Sequence, residues 1–96
     1  MHKLHKQALA QQDLINIWLY TYETWGEAQA DQYFDELDSG LKTLCRNPVI
    51  GKNRDSIRDG YRSFQINRHV VFYKVASSTI QIVRVLHERM DPERNL

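Results

Sequence analysis

The chain has 96 residues, 42% hydrophobic and 26% charged, with aromatic residues at 10%, which fits one globular domain spanning residues 1–96 and excludes a disordered segment. Its longest apolar runs are four residues, Ile17–Tyr20 and Val70–Tyr73, far short of the roughly 20 that a membrane span needs. A single cysteine, Cys45, excludes an internal disulfide and a Cys-x-x-Cys zinc site, and a net charge of +1 argues against a sequence-specific nucleic-acid binder, so a cytoplasmic protein without metal, cofactor or membrane partner is expected.

Lys3–Gln7 is a weak candidate for a strand at a sheet edge. Leu14, Ile17, Trp18, Thr21, Tyr22 and Trp25 then recur at helical spacing. Gly26 fits the position just past a helix end, where left-handed backbone is favoured. A second helix begins at Glu27, whose charge suits a helix N-terminus. Its stripe is Ala30, Tyr33, Phe34, Leu37, Leu41 and Leu44. Gly40 inside it costs ~1 kcal/mol relative to alanine, and Asn47-Pro48 stops it. The one-glycine junction makes a tight helical hairpin.

Residues 47–60 read as a charged loop punctuated by Pro48, Gly51 and Gly60. After Gly60 the apolar period changes to two. Tyr61–Ile66, His69–Val75 and Ile80–His87 are predicted strands of an antiparallel meander, with turns at Asn67-Arg68 and Ala76–Thr79. The tail Met90–Leu96 reads as irregular. The fold class is α+β, ordered β-α-α-β-β-β, with the hairpin packed on one face of an antiparallel sheet. The other sheet face is expected to stay partly open, carrying polar and basic residues.

Charge divides between the halves. Residues 1–46 hold four basic and seven acidic groups, net −3, and the remainder nine and five, net +4. That pattern suggests two surfaces with different partners. Arg58, Arg62, Arg68, Arg84, His87 and Arg89 are the candidate target-binding residues, with His69 and Glu88 beside them in sequence. An arginine in a strand snorkels to solvent, pairs with a carboxylate or awaits an anion. His87-Glu88-Arg89 at the last strand's end also invites acid–base chemistry on a phosphodiester. His87 stands there as the one well-placed titrating group, with no second strand-end histidine expected beside it. Trp18, Tyr22, Trp25, Tyr33 and Phe34 read as core by their helical spacing, but two helices on a small sheet cannot hide every large ring, so Trp18, Tyr22 and Trp25 are the candidates for exposed, partner-binding surface.

Leu14-x-x-Ile17-Trp18-x-Tyr20-Thr21, Trp25-Gly26-Glu27-Ala28-Gln29-Ala30 and Asn47-Pro48-x-x-Gly51-Lys52 resemble the helical hairpin and following loop of ParE toxins. Arg58-x-Gly60-Tyr61-Arg62-Ser63-Phe64, Arg68-His69-Val70-Val71-Phe72-Tyr73 and the stretch from Ile82 to Pro92 extend the resemblance over roughly residues 7–92. It implies the RelE/ParE fold and the toxic half of a bacterial type II toxin–antitoxin module. It further implies poisoning of DNA gyrase by binding, without catalysis, and neutralisation by a ParD-like antitoxin. The RelE branch of the superfamily cleaves messenger RNA on the ribosome, often with a tyrosine near the chain end. No tyrosine follows Tyr73 here, although His87 occupies a place where some nuclease members act. Gln7 stands where a serine or threonine helix cap is usual, a loss of about 0.5–2 kcal/mol at that helix start.

Overall fold

A computed structural model describes residues 1–96. The chain runs β1 (Lys3–Lys6), α1 (Ala8–Trp25), α2 (Glu27–Arg46), β2 (Lys52–Asn53), β3 (Tyr61–Ile66), β4 (His69–Ala76), β5 (Thr79–His87) and α3 (Pro92–Asn95). Five strands form one sheet in the order β1-β5-β4-β3-β2. The helical hairpin and the meander stand where the sequence places them. Gly26 joins the helices at φ +94° while its N–H closes on Tyr22 O at 2.9 Å.

Three details refine the expected plan. β1 pairs with β5 in parallel, Lys3 opposite Thr79 and Lys6 opposite Ile82, so the sheet is mixed rather than wholly antiparallel. The loop after α2 contributes the two-residue strand β2 against β3. The tail forms one helical turn, because Asp91 accepts the Glu93 N–H at 3.0 Å and Pro92 occupies the first turn. The missing cap at Gln7 is real, since its side chain makes no cap bond. That side chain instead donates to Gln81 Oε1 at 2.9 Å, and the Gln7 N–H continues the β1 ladder to Ile82 O.

The core lies between the hairpin and one sheet face. Ala10 and Leu14 of α1 and Leu37, Leu41 and Leu44 of α2 bury against Ile66, Val71, Tyr73, Ile80, Ile82 and Val85. Gly40 now has a packing reason: a Cβ there would lie 2.6 Å from Ile66 Cγ1, so only glycine lets α2 approach β3 this closely. The opposite sheet face is less open than expected. Phe72, Leu86 and Ser63 on it are 3%, 2% and 6% exposed. The chain end is tied down beside them, since Arg84 and Arg58 donate to the carbonyls of Asn95 and Leu96. No helix is long and apolar enough to cross a membrane.

One irregularity shapes everything that follows. Tyr73 pairs with Ile82 but Phe72 pairs with Arg84, so Val83 has no partner and β5 carries a bulge. A single extra residue reverses which side chains face the core. Ile80 and Ile82 face it before the bulge, and Val85 and His87 after it.

Candidate functional site

The bulge sets His69 and His87 directly opposite each other on β4 and β5. Both point to the hairpin side of the sheet, with ring centroids 5.3 Å apart in an edge-to-face arrangement. The expectation that His87 stands alone is therefore corrected. Without the bulge, simple alternation would set Leu86 there, which is why strand spacing alone did not show the pair. The visible signal is the shift of core parity from Ile80 and Ile82 to Val85, with Arg84 between.

Tyr33 completes the cluster from α2. Its hydroxyl lies 2.6 Å from His69 Nδ1 and accepts the Arg68 N–H at 3.2 Å. In the neutral tautomer with its proton on Nε2, His69 accepts the phenol proton at Nδ1. Burial holds the Tyr33 hydroxyl above its usual pKa and so keeps its proton in place. Burial, reinforced by the neighbouring His87, pushes His69 down from 6.5 to about 4. His87 Nδ1 accepts the Arg89 N–H at 3.2 Å. Two adjoining cavities, of about 460 and 430 Å³, meet over the pair and share Tyr20, Thr21, His69 and His87. Asn16, Arg84 and Met90 line one, and Trp25, Gln29, Tyr33 and Arg68 the other.

The depressed His69 has a measurable consequence. Below pH 6.5 the unfolded chain takes up a proton that the folded chain refuses until about pH 4. Stability is thus complete above pH 6.5 and falls as the pH drops through that window. The ring is partly solvated, so the loss is about 1–2 kcal/mol rather than the full conversion of the shift. Urea midpoints at pH 7 and pH 4.5 test this against His69→Gln, which keeps an acceptor for Tyr33. Equal pH slopes in the two proteins would refute it.

The six candidate target-binding residues do not form one patch. Arg68, His87 and Arg89 gather at the His-pair end of the sheet. Arg68 lies 3.6 Å from Glu88 and is 69% exposed, and the Arg89 side chain is in solvent. Arg62 braces the loop before β2, donating to Gly51 O at 2.9 Å. Arg58 remains exposed apart from its bond to Leu96 O.

Arg84 takes the carboxylate pairing among the three expected alternatives. Its Nε and Nη2 meet Asp13 Oδ2 and Oδ1 of α1 at 2.7 and 2.9 Å, and Nη1 meets Asn95 O. The Asp13 carboxylate raises its pKa further, and its guanidinium is not free for a partner. An arginine on the bulged strand has the buried carboxylate that the bulge brings within reach.

The aromatic candidates also divide. Trp18 stacks on Tyr22 with centroids 5.1 Å apart, and its indole N–H reaches Asp31 Oδ1 at 3.4 Å. Trp25, 71% exposed, lines the cavity beside the histidines instead. α1 therefore shows apolar surface on more than one side, with Ile15, Leu19, Tyr20 and Tyr22 all exposed. So much exposed apolar circumference is the kind of surface that suits a binding partner.

Known proteins resemble this chain in sequence and in fold. The family described as the ParE toxin of type II toxin–antitoxin system parDE matches residues 4–92. Toxin ParE1 of Mycobacterium tuberculosis is 48% identical over 88 residues, covering 91% of this chain and 90% of that protein. Toxin ParE1 of Caulobacter vibrioides is 37% identical over 95 residues, covering 99% and 96%. Among solved structures, the chromosomal ParDE system from P. aeruginosa superposes with a TM-score of 0.78 at 22% identity, covering 91% of this chain and 96% of that one. A YoeB-YefM complex from Staphylococcus aureus gives 0.61 at 19%, covering 91% and 97%. These structural likenesses establish the fold, and the sequence matches establish more: the chain belongs to the ParE toxin family of type II toxin–antitoxin systems.

Proposed function

We propose that this toxin poisons DNA gyrase by binding rather than by catalysis, and that a ParD-like antitoxin silences it by covering the hairpin. The family match over residues 4–92 carries this reading. A binding poison needs a shaped, charged surface and no proton-transfer partner. Arg58 and Arg62 near the 49–60 loop, and Arg68, His87 and Arg89 at the His-pair end, supply two such surfaces. Exposed Tyr22 and Trp25 and half-buried Trp18 on the hairpin, together with likeness to a ParDE system, support the antitoxin. Its binding free energy would add to the modest stability of so small a domain.

One observation favours a second reading. The His69–His87 pair with Tyr33 supplies two imidazoles where one was expected, and 2′-hydroxyl attack on a phosphodiester needs an acid and a base. Two features weigh against it. His69 is a poor base with its pKa near 4, and His87 Nδ1 is occupied by a backbone N–H. A plasmid supercoiling assay beside primer extension on translated messages separates the two. The expected result is inhibited supercoiling with accumulated cleaved DNA, uncut messages, and toxicity of His87→Gln near wild type. Site-specific message cuts that vanish in His87→Gln, with gyrase unaffected, would transfer the chain to the nuclease reading. Amide exchange with and without antitoxin tests the partner, with slowed exchange expected across residues 14–44.

A further inference from the structure

His69 and His87 are each engaged at one nitrogen only. The Tyr33 hydroxyl lies 2.6 Å from His69 Nδ1, and the Arg89 N–H donates to His87 Nδ1 at 3.2 Å. A neutral imidazole that accepts at Nδ1 carries its proton on Nε2. No protein group meets either Nε2, and no buried polar side-chain atom lacks a partner, so both Nε2–H groups are open. Both rings line both cavities. Two donors are thus oriented in advance and unused. Arg68, 69% exposed and 3.6 Å from Glu88, adds a cation on the wall of one cavity, whereas Arg84 in the other is spent on Asp13. The same tautomers leave neither ring a lone pair to act as a base. This arrangement holds an anion.

The other walls indicate what carries the anion. Trp25 and Tyr20, 71% and 68% exposed, line the same cavity as Arg68 and offer faces on which a flat ring can stack. At about 430 and 460 Å³ the two cavities have the size of small-molecule sites. A long polyanion fits less well, because α1 and α2 have no lysine or arginine before Lys42 and hold seven carboxylates. We infer that the joined cavities bind a mononucleotide, with its phosphate on the two Nε2–H groups and Arg68 and its base against Trp25 and Tyr20. The phosphate takes the place of the loosely held Glu88 carboxylate on Arg68. The ligand is bound and not cleaved, and the site requires neither gyrase nor antitoxin.

Titration of the toxin with adenosine monophosphate, adenosine, inorganic phosphate and a short single-stranded oligonucleotide, followed by NMR of the imidazole nitrogens, tests the assignment. Adenosine monophosphate is expected to shift both Nε2–H signals saturably and to bind about tenfold more tightly than adenosine or phosphate alone. Arg68→Gln should reduce it to the level of adenosine, and Trp25→Ala to the level of phosphate. Both side chains are exposed, so the fold should be kept in either variant. Trp18→Phe, in a residue that lines neither cavity, should change nothing. Binding no tighter than that of phosphate, or indifference to both variants, would overturn the inference. So would imidazole signals that place the protons on Nδ1. An oligonucleotide bound more tightly than the mononucleotide would give the site to a strand and overturn it as well.

Discussion

Replacing Asp13 with alanine is expected to lower stability by about 3–5 kcal/mol, a large share of the roughly 5–15 kcal/mol that holds a small domain together. Three donors converge on this carboxylate: Arg84 Nε, Arg84 Nη2 and the Val85 N–H. The pair is largely buried, with side-chain exposures of 19% and 14%. Removing the acid strands a charge and leaves a strand N–H unpaired at the sheet edge, where β1 has already ended. Urea unfolding should show a lower midpoint at unchanged slope. The double variant Asp13→Ala with Arg84→Met should recover part of the loss, because no lone charge then remains. A loss below about 1 kcal/mol for Asp13→Ala would show that the pair behaves as an ordinary surface contact.

Tyr73→Phe should cost about 2–3 kcal/mol although it removes one oxygen. The Tyr73 side chain is fully buried, its hydroxyl donates to Pro48 O at 2.8 Å, and it accepts the buried Gly51 N–H at 3.0 Å. Phenylalanine leaves both loop groups without a partner. The expected fall in Tm is about 10–20 °C, and the Gly51 amide should lose its exchange protection. Because Arg62 holds the Gly51 carbonyl, the loop and that arginine should loosen together. A Tm within a few degrees of wild type would mean that water replaces the hydroxyl.

The order and type of the two long helices and the three meander strands were legible in the sequence because each signal was local. The two-residue β2 and the single turn of α3 are too short to leave a periodic one. Gly26 and Asn47-Pro48 end helices by backbone chemistry, and the change of period after Gly60 separates helix from strand. The direction of β1 was not legible, since four alternating residues read alike in parallel and antiparallel pairing. The bulge at Val83 was hidden because Ile82, Val83 and Val85 are all apolar, so alternation gives no unique parity. That one ambiguity hides the partners of two site residues. Strand spacing leaves Arg84 open between solvent, a carboxylate and an anion and shows His87 alone, whereas the bulge hands the first to Asp13 and the second to His69. Tyr33 was assigned to the core by helical spacing, which cannot show that its hydroxyl reaches across to β4. Helical spacing reads Trp18, Tyr22 and Trp25 as core, yet Tyr22 and Trp25 are exposed and Trp18 is half-buried. Two helices on a small sheet have too little inner area for every large ring.

The parallel pairing of β1 also governs how the chain comes into being. Lys3 meets Thr79, so the first strand waits for the last one before it has anything to pair with. The hairpin helices and the meander close over short sequence distances and form early, whereas this contact closes a loop of nearly the whole polypeptide. During synthesis the N-terminal strand leaves the ribosome long before its partner exists. The helices therefore spend their first moments without the completed sheet beneath them, apolar on both the inner and the outer side. A silencing partner made at the same time and place would meet the hairpin at its most adhesive, before the finished toxin can reach its target.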